Sequence, residues 1–297
     1  MSIDPGDIAI IGPGKVGTAL AILASRAGLR LVAIGARDPA KAREVAKLLS
    51  PPPDTGSIRD AARSAKVVLL CVSDDAIADV ATQLEALESV RPGTIVAHSS
   101  GALGSEVLAP LRRLGCHVGS LHPLATFPSA GRAVESLAGS FCFIEGDEPA
   151  VAVLDELARR IGAVPVRLAA QAKPLYHAAA VMACNYQAAL VDASLELMKQ
   201  AGIDTQLALK ALGPLVRSTV DNVMSLGPAQ ALTGPIARGD LSTVAAHLRA
   251  MRHLGELAEL YRHVGQWTVQ LARRKGTIDD QQAGQLQMLL KEPTSIE

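Results

Sequence analysis

Residues 8–17 read IAIIGPGKVG and run into KVGTALAILASRAG. An apolar β-branched run, a glycine-spaced turn and a helical run in immediate succession admit few folds. Gly12 permits a tight turn, Gly14 permits close backbone approach to a diphosphate, and Gly17 permits the helix to pack close to the strand. The start of that helix offers free N–H groups and the positive end of its dipole to phosphate. Gly12, Gly14, Lys15, Val16 and Gly17 are therefore the expected cofactor cradle.

The same alternation continues. LVAIGA (31–36), VVLLCV (67–72), TIVAHS (94–99), HVGSLH (117–122) and FCFIEG (141–146) read as strands separated by helical segments. Continuous apolar strands alternating with helices predict a parallel sheet covered on both faces. PPPDTG (51–56) reads as a loop. After about Val166 the pattern is helical only: Gln171 to Ala201, Thr205 to Leu226 with a kink or break at Gly213-Pro214, Leu241 to Leu254, Glu256 to Lys275, and a last helix from Gln281. The expected fold class is α/β: a doubly wound Rossmann-type sheet over residues 1–168, then an all-helical domain over 169–297, where substrate binding and dimerisation are expected.

Composition excludes several classes. Charged residues are 20%, formal net charge is zero, and no basic or acidic block occurs, so no polyanion or membrane surface is expected as a partner. Aromatics are 2%, which argues against nucleic-acid stacking. MSIDPGDIAI carries no basic-then-apolar secretory pattern, and no apolar run is long enough to span a membrane. The four cysteines are scattered without a CxxC pair, which fits free thiols in a cytoplasmic protein and no metal.

The second strand ends in GARDPAKAR (35–43). Arg37 suits a ribose 2′-phosphate through charge-assisted bonds, so NADP is expected ahead of NAD. Asp38 is expected to cap the helix that opens at Pro39. Ligands in such sheets lie beyond the carboxyl ends of the strands. Three segments end there: CVSDDAI (71–77), HSSG (98–101) and LHPLATF (121–127). Ser73 belongs with the cofactor site and, with Asp74, at a helix start. Ser99 and Ser100 have two readings, a carboxylate or amide ligand and a helix-capping turn. His122 precedes a proline, which holds the backbone extended and turns the imidazole to the crevice.

KPLYHAAAVMACNY (173–186) sets a Lys, a Tyr, a His and an Asn in a run of small residues. With Pro174 at the first helical position, Lys173 lies at the positive end of the helix dipole, which lowers its pKa. His177 lies roughly 40° around the helix from Lys173, and Asn185 roughly 80° from His177. The three line one broad face, and Tyr176 points elsewhere. Lys173, His177 and Asn185 are catalytic candidates with His122; each alone also fits a structural role. In TGPIARGD (233–240), Asp240 suits a helix cap, and Arg238 either fixes the turn or binds a substrate carboxylate.

Taken in order, GPGKVG, HSSG, LHPLATF, KPLYHAAAVMACNY and ALTGPIARGD resemble the Rossmann-like oxidoreductases with a C-terminal domain of unknown function 2520. The resemblance covers nearly the whole chain. It implies a plan similar to pyrroline-5-carboxylate reductase, β-hydroxyacid dehydrogenases and ketopantoate reductases: an NAD(P) domain, then a helical domain of the 6-phosphogluconate-dehydrogenase C-terminal kind that often dimerises. It implies hydride transfer with the carbonyl or imine carbon of a small carboxylate, a ketopantoate-like 2-keto acid first among them. The His-Pro pair at 122–123 is similar to prephenate dehydrogenase, with His122 as base. A regulatory NADP-binding protein without catalysis is the third reading, and a deazaflavin is an open electron partner. Where β-hydroxyacid dehydrogenases place an Asn four residues after their Lys, this chain has His177, so the proton donor is Lys173, His177 or His122.

Overall fold

The computed structural model describes residues 5–127 and 129–291. The secretory-signal reading above falls partly on residues 1–4, outside the described residues. Eight strands form one sheet: β1 (Ile8–Ile11), β2 (Leu31–Gly35), β3 (Asp54–Gly56), β4 (Val67–Leu70), β5 (Ile95–His98), β6 (His117–Pro123), β7 (Phe141–Gly146) and β8 (Val164–Arg167). Their order is β3-β2-β1-β4-β5-β6-β7-β8. The first six strands thus follow the 3-2-1-4-5-6 order of a dinucleotide fold, whose crevice opens between β1 and β4.

Side chains along each strand alternate between two cores, as a strand period of two requires. Ile8, Ile10, Val67 and Leu69 enter one, and Ala9, Ile11, Val68 and Leu70 the other. Each buried isoleucine or leucine contributes roughly 1.5–3 kcal/mol, so both faces must be covered. The covering helices are α1 (Lys15–Arg26), α2 (Pro39–Ala46), α3 (Ile58–Ser64), α4 (Asp74–Ala86), α5 (Ala109–Arg112), α6 (Ala130–Leu137) and α7 (Glu148–Arg160). Asp38 caps α2 by accepting from the Ala40 N–H, as expected.

Three features of the sheet differ from the strand pattern read in the sequence. The DTG of PPPDTG is not loop but β3, since the prolines precede it and it pairs only with β2 at the sheet edge. VPVR forms β8, which tolerates Pro165 because it is the other edge strand. The sheet is not wholly parallel, because β7 runs antiparallel to β6, with Ser120 opposite Glu145. That reversal brings two polar side chains of apolar strands into register.

The remainder is helical: α8 (Lys173–Gln200), α9 (Thr205–Leu226), α10 (Pro228–Ala231), α11 (Leu241–Ala250), α12 (Glu256–Lys275) and α13 (Asp280–Lys291). A kink or break was expected at Gly213-Pro214; α9 is not broken there, since helix propagation on both sides outweighs one missing N–H. α11 ends at Ala250, earlier than expected. The chain separates into two compact units, one through Gln187 and one from Ala188. The first residues of α8 thus belong with the sheet, beyond the last strand at Arg167. The second unit has its own core of Val244, Leu248, Val269, Leu286 and Leu290. Among the described residues, no helix is long and apolar enough to cross a membrane.

Candidate active site

The turn from β1 into α1 is shaped by its glycines. Gly12 has φ +90, and a Cβ there would lie 2.7 Å from the Cys71 carbonyl oxygen. A Cβ on Gly17 would collide with the Gly12 carbonyl and come within 3.1 Å of Cys71 Cβ. A Cβ on Gly14 would meet nothing within 4 Å. Two glycines are thus demanded by the protein's own packing, and the third leaves open space at the start of α1. No side chain caps that helix start. This cradle fits a dinucleotide diphosphate.

A cleft of about 700 Å³ runs from Gly12 and Gly14 past Val72 to Arg37, Asp38 and Lys41. Arg37 and Lys41 are exposed at its end. A second cavity of about 430 Å³ holds Lys15, Val16, Asp74, Gly101, His122 and His177. The two share Cys71, Val72 and Ser73 and follow the carboxyl ends of β1 and β4 to β6. Ser73 starts α4, yet its hydroxyl does not cap the helix. Asp74 accepts a hydrogen bond from Ser100 Oγ at 2.8 Å instead of capping.

The Ser100–Gly101 turn is fully engaged. Ser100 Oγ accepts from the N–H groups of Ala102 and Leu103, and the Ser100 N–H donates to His98 Nδ1 at 3.2 Å. His98 therefore carries its proton on Nε2, which faces the Gly104 carbonyl. Ser99 bonds the Cys71 thiol. The Ser100 hydroxyl thus closes the local turn and also reaches Asp74.

Lys173 opens α8, as the sequence suggested, but it is only 1% exposed. Its Nζ donates to the Ser100 carbonyl at 2.9 Å and to Ser120 Oγ at 2.6 Å, and lies 3.9 Å from Glu145 Oε1. Glu145 in turn accepts from the Ser105 N–H and hydroxyl, both at 2.8 Å. Burial lowers the Lys173 pKa to about 8, against the opposing pull of Glu145 and Asp74. The main cause is thus desolvation. Lys173 stands behind the turn that walls the second cavity, where His122 and His177 are lining groups.

His122 and His177 meet edge to face, ring centroids 5.8 Å apart. A Cβ on Gly101 would come within 2.6 Å of His177 Nδ1 and 2.7 Å of His122 Nε2. Only glycine allows both rings to close on this turn. Among the described residues, His177 Nδ1 is buried without a hydrogen-bond partner. His122 is held to about 4 by burial first and then by the Lys173, His177 and His98 charges, so its ring is neutral at physiological pH.

Tyr176 does not point elsewhere. Its hydroxyl lies 2.7 Å from His122 Nδ1, and its ring packs on Phe143 at 4.3 Å. Sequence reasoning missed Ser120 and Glu145 and placed Tyr176 away from the site. The structure does not bring Asn185 to this cluster: it is exposed further along α8. Arg238 is exposed in the second unit, in a turn closed by Gly239 at φ +68, and Asp240 caps α11 by accepting from the Thr243 N–H. Among the described residues no His, Cys, Asp and Glu group could hold a metal.

The buried neutral imidazoles give a pH prediction. The folded pKa values of His98 and His122 are both depressed to about 4 from 6.5. The unfolded chain binds more protons across that window, so stability is intact above it and falls as pH drops from 6.5 to 4. Denaturant melts across this range are expected to show that loss, and His98→Gln is expected to reduce it to the His122 share.

A Rossmann-like domain model matches residues 5–123, and the model of the domain of unknown function DUF2520 matches residues 140–268. No curated protein matches the chain by sequence. Among solved structures, a Bacteroides fragilis protein with the provisional description NADP oxidoreductase is 25% identical, with TM-score 0.70, covering 92% of this chain and 98% of that one. A Thermotoga maritima protein is 23% identical at TM-score 0.71, covering 91% and 99%. An imine reductase of Myxococcus stipitatus, in complex with NADP+, is 20% identical at TM-score 0.61, covering 94% and 99%. The chain belongs to the proteins that join an N-terminal Rossmann-like domain to a C-terminal domain of unknown function 2520.

Proposed function

We propose that the chain is an NADP-dependent oxidoreductase that transfers a hydride between nicotinamide and the carbonyl or imine carbon of a small carboxylate, a ketopantoate-like 2-keto acid first among candidates. The observation that carries this is the glycine cradle with open space at Gly14, continuous through Cys71–Ser73 with the cavity holding His122 and His177. The similarity to a protein described as an NADP oxidoreductase supports it. When bound, NADP supplies the hydride chemistry.

The chain's own residues do the rest. The start of α1 holds the diphosphate through Lys15, Val16 and Gly17, and Arg37 takes the 2′-phosphate. His177 and His122 face the reacting carbon's oxygen, where a proton is needed as charge develops. Lys173, buried behind the wall, fixes the Ser100 carbonyl and so the Gly101 turn on which both imidazoles rest. Ser99, Arg238 and Asn185 stay candidates for the substrate's carboxylate or its orientation. An NADPH-oxidation screen over ketopantoate, other 2-keto acids and cyclic imines tests the reading. Turnover with one of them, strongly reduced in His177→Ala, supports it; NADPH binding with no turnover on any of them favours a regulatory binding protein.

The proposed assembly is a homodimer built on the helical part, in the cytoplasm, a setting that four free cysteines fit. α8 and α9 bury only Lys173 and Ala208, while Leu207, Leu209, Leu215, Met224 and Leu226 of α9 stay exposed. Apolar side chains exposed in this number along one helix fit burial in an assembly. Sedimentation is expected to give a dimer, shifted toward monomer by Leu215→Asp; a wild-type monomer contradicts the assembly.

A further inference from the structure

The contact between Tyr176 and His122 has a direction. At 2.7 Å between the hydroxyl and Nδ1, either the phenol donates to an unprotonated Nδ1, or a protonated Nδ1 donates to the phenol oxygen. The second arrangement obliges the phenol proton to find another acceptor. Among the described residues the Tyr176 hydroxyl has none besides Nδ1, and the ring is pinned by Phe143, which limits where the hydroxyl can turn. Burial raises the Tyr176 pKa above the ordinary phenol range, so the proton stays on the oxygen and is available to donate. The charged and titratable groups that bear on His122 are Lys173, His177 and His98. All three disfavour a second proton on the ring. One proton, with Nδ1 already accepting, must sit on Nε2.

We infer that Tyr176 is a positioning residue that locks His122 as the neutral Nε2–H tautomer, which presents a hydrogen-bond donor to the substrate oxygen in the cavity. The Nε2 atom is the one beside Gly101 and the unpartnered His177 Nδ1. The Nε2 donor and the unpartnered His177 Nδ1 then flank the same turn. The donor stabilises charge that develops on a carbonyl or alkoxide oxygen. The substrate part of this inference rests on the oxidoreductase reading; the tautomer does not. It also opposes the alternative of His122 as a base, because a base acting through Nε2 needs that nitrogen unprotonated.

The test is a two-bond proton–nitrogen correlation spectrum of the full chain labelled with 15N-histidine, near neutral pH. The His122 signals are identified by their disappearance in His122→Asn. The expected result is an unprotonated acceptor-type Nδ1 and a protonated Nε2, becoming a mixture of tautomers or the opposite one in Tyr176→Phe, which keeps the ring against Phe143. Wild-type His122 with its proton on Nδ1 overturns the inference, as does a tautomer unchanged in Tyr176→Phe. Should Tyr176→Phe fail to fold, the wild-type spectrum alone decides. NADPH titration of the same samples separates the two claims: the locked tautomer without NADPH binding leaves this inference standing and sinks the oxidoreductase reading.

Discussion

Gly14→Ala is expected to lose NADPH affinity by at least roughly tenfold, about 1.4 kcal/mol, with no change in stability. Gly17→Ala is expected to lose both. The difference follows from where a methyl group would go. At Gly14 it meets nothing within 4 Å, so the folded chain accommodates it, and the space it takes is the space a diphosphate needs. At Gly17 it strikes the Gly12 carbonyl, with Cys71 Cβ at 3.1 Å and Ile10 Cγ2 at 3.2 Å. Backbone at this site cannot yield without lifting α1 from β1, and overpacking of this kind costs about 1–3 kcal/mol. Denaturant melts and nucleotide titrations on the two variants separate the effects. Unchanged NADPH affinity in Gly14→Ala contradicts the assignment of that space to the cofactor.

Lys173→Met is expected to destabilise the protein by about 3 kcal/mol, the cost of stripping one partner from a buried ion pair. Glu145 is 5% exposed, and without Lys173 it keeps only the Ser105 N–H and hydroxyl as donors. Ser120 Oγ and the Ser100 carbonyl lose their donor at the same time. The double variant Lys173→Met, Glu145→Gln is expected to recover part of the loss, since no buried charge is then left alone. The wild-type pair leaves a second mark. Folding lowers the Lys173 pKa from 10.5 to about 8, so the unfolded chain holds the extra proton between these values. Stability therefore rises with pH from about 8 to 10.5 through this group, and the rise is expected to vanish in Lys173→Met. A Lys173→Met protein as stable as wild type, yet without turnover, would instead make Lys173 a catalytic residue that touches substrate.

Much of this was legible in the sequence, for physical reasons that differ by element. The six internal strands announce themselves because both faces are largely buried, so nearly every position is apolar. β3 and β8 do not: at three and four residues, on the edges, beside or containing proline, they carry no such run. The antiparallel turn of β7 was invisible because FCFIEG is equally apolar in either direction. Ser120 and Glu145 left a signal, each a polar residue in an apolar strand, but only register shows them opposite each other under Lys173. The Tyr176 reading failed on helix geometry. Residue 176 is three positions after Lys173, roughly 60° to its other side, so the helix presents Tyr176, Lys173 and His177 over one arc. Asn185, two turns beyond His177, is carried past the end of that cluster. Compactness divides the chain at Gln187, whereas strand content suggested 168, and 168/169 stays the proposed limit of the nucleotide-binding fold.

The most direct measurement is a fluorescence titration with NADPH and with NADH, on wild type and on Arg37→Ala. The account predicts tight NADPH binding, weaker NADH binding, and an Arg37→Ala protein that loses roughly 1.5–3 kcal/mol, the value of a hydrogen bond to a charged group, for NADPH alone. Equal binding of the two nucleotides, untouched by Arg37→Ala, would contradict the NADP assignment, and binding of neither would contradict the function proposed for the cleft.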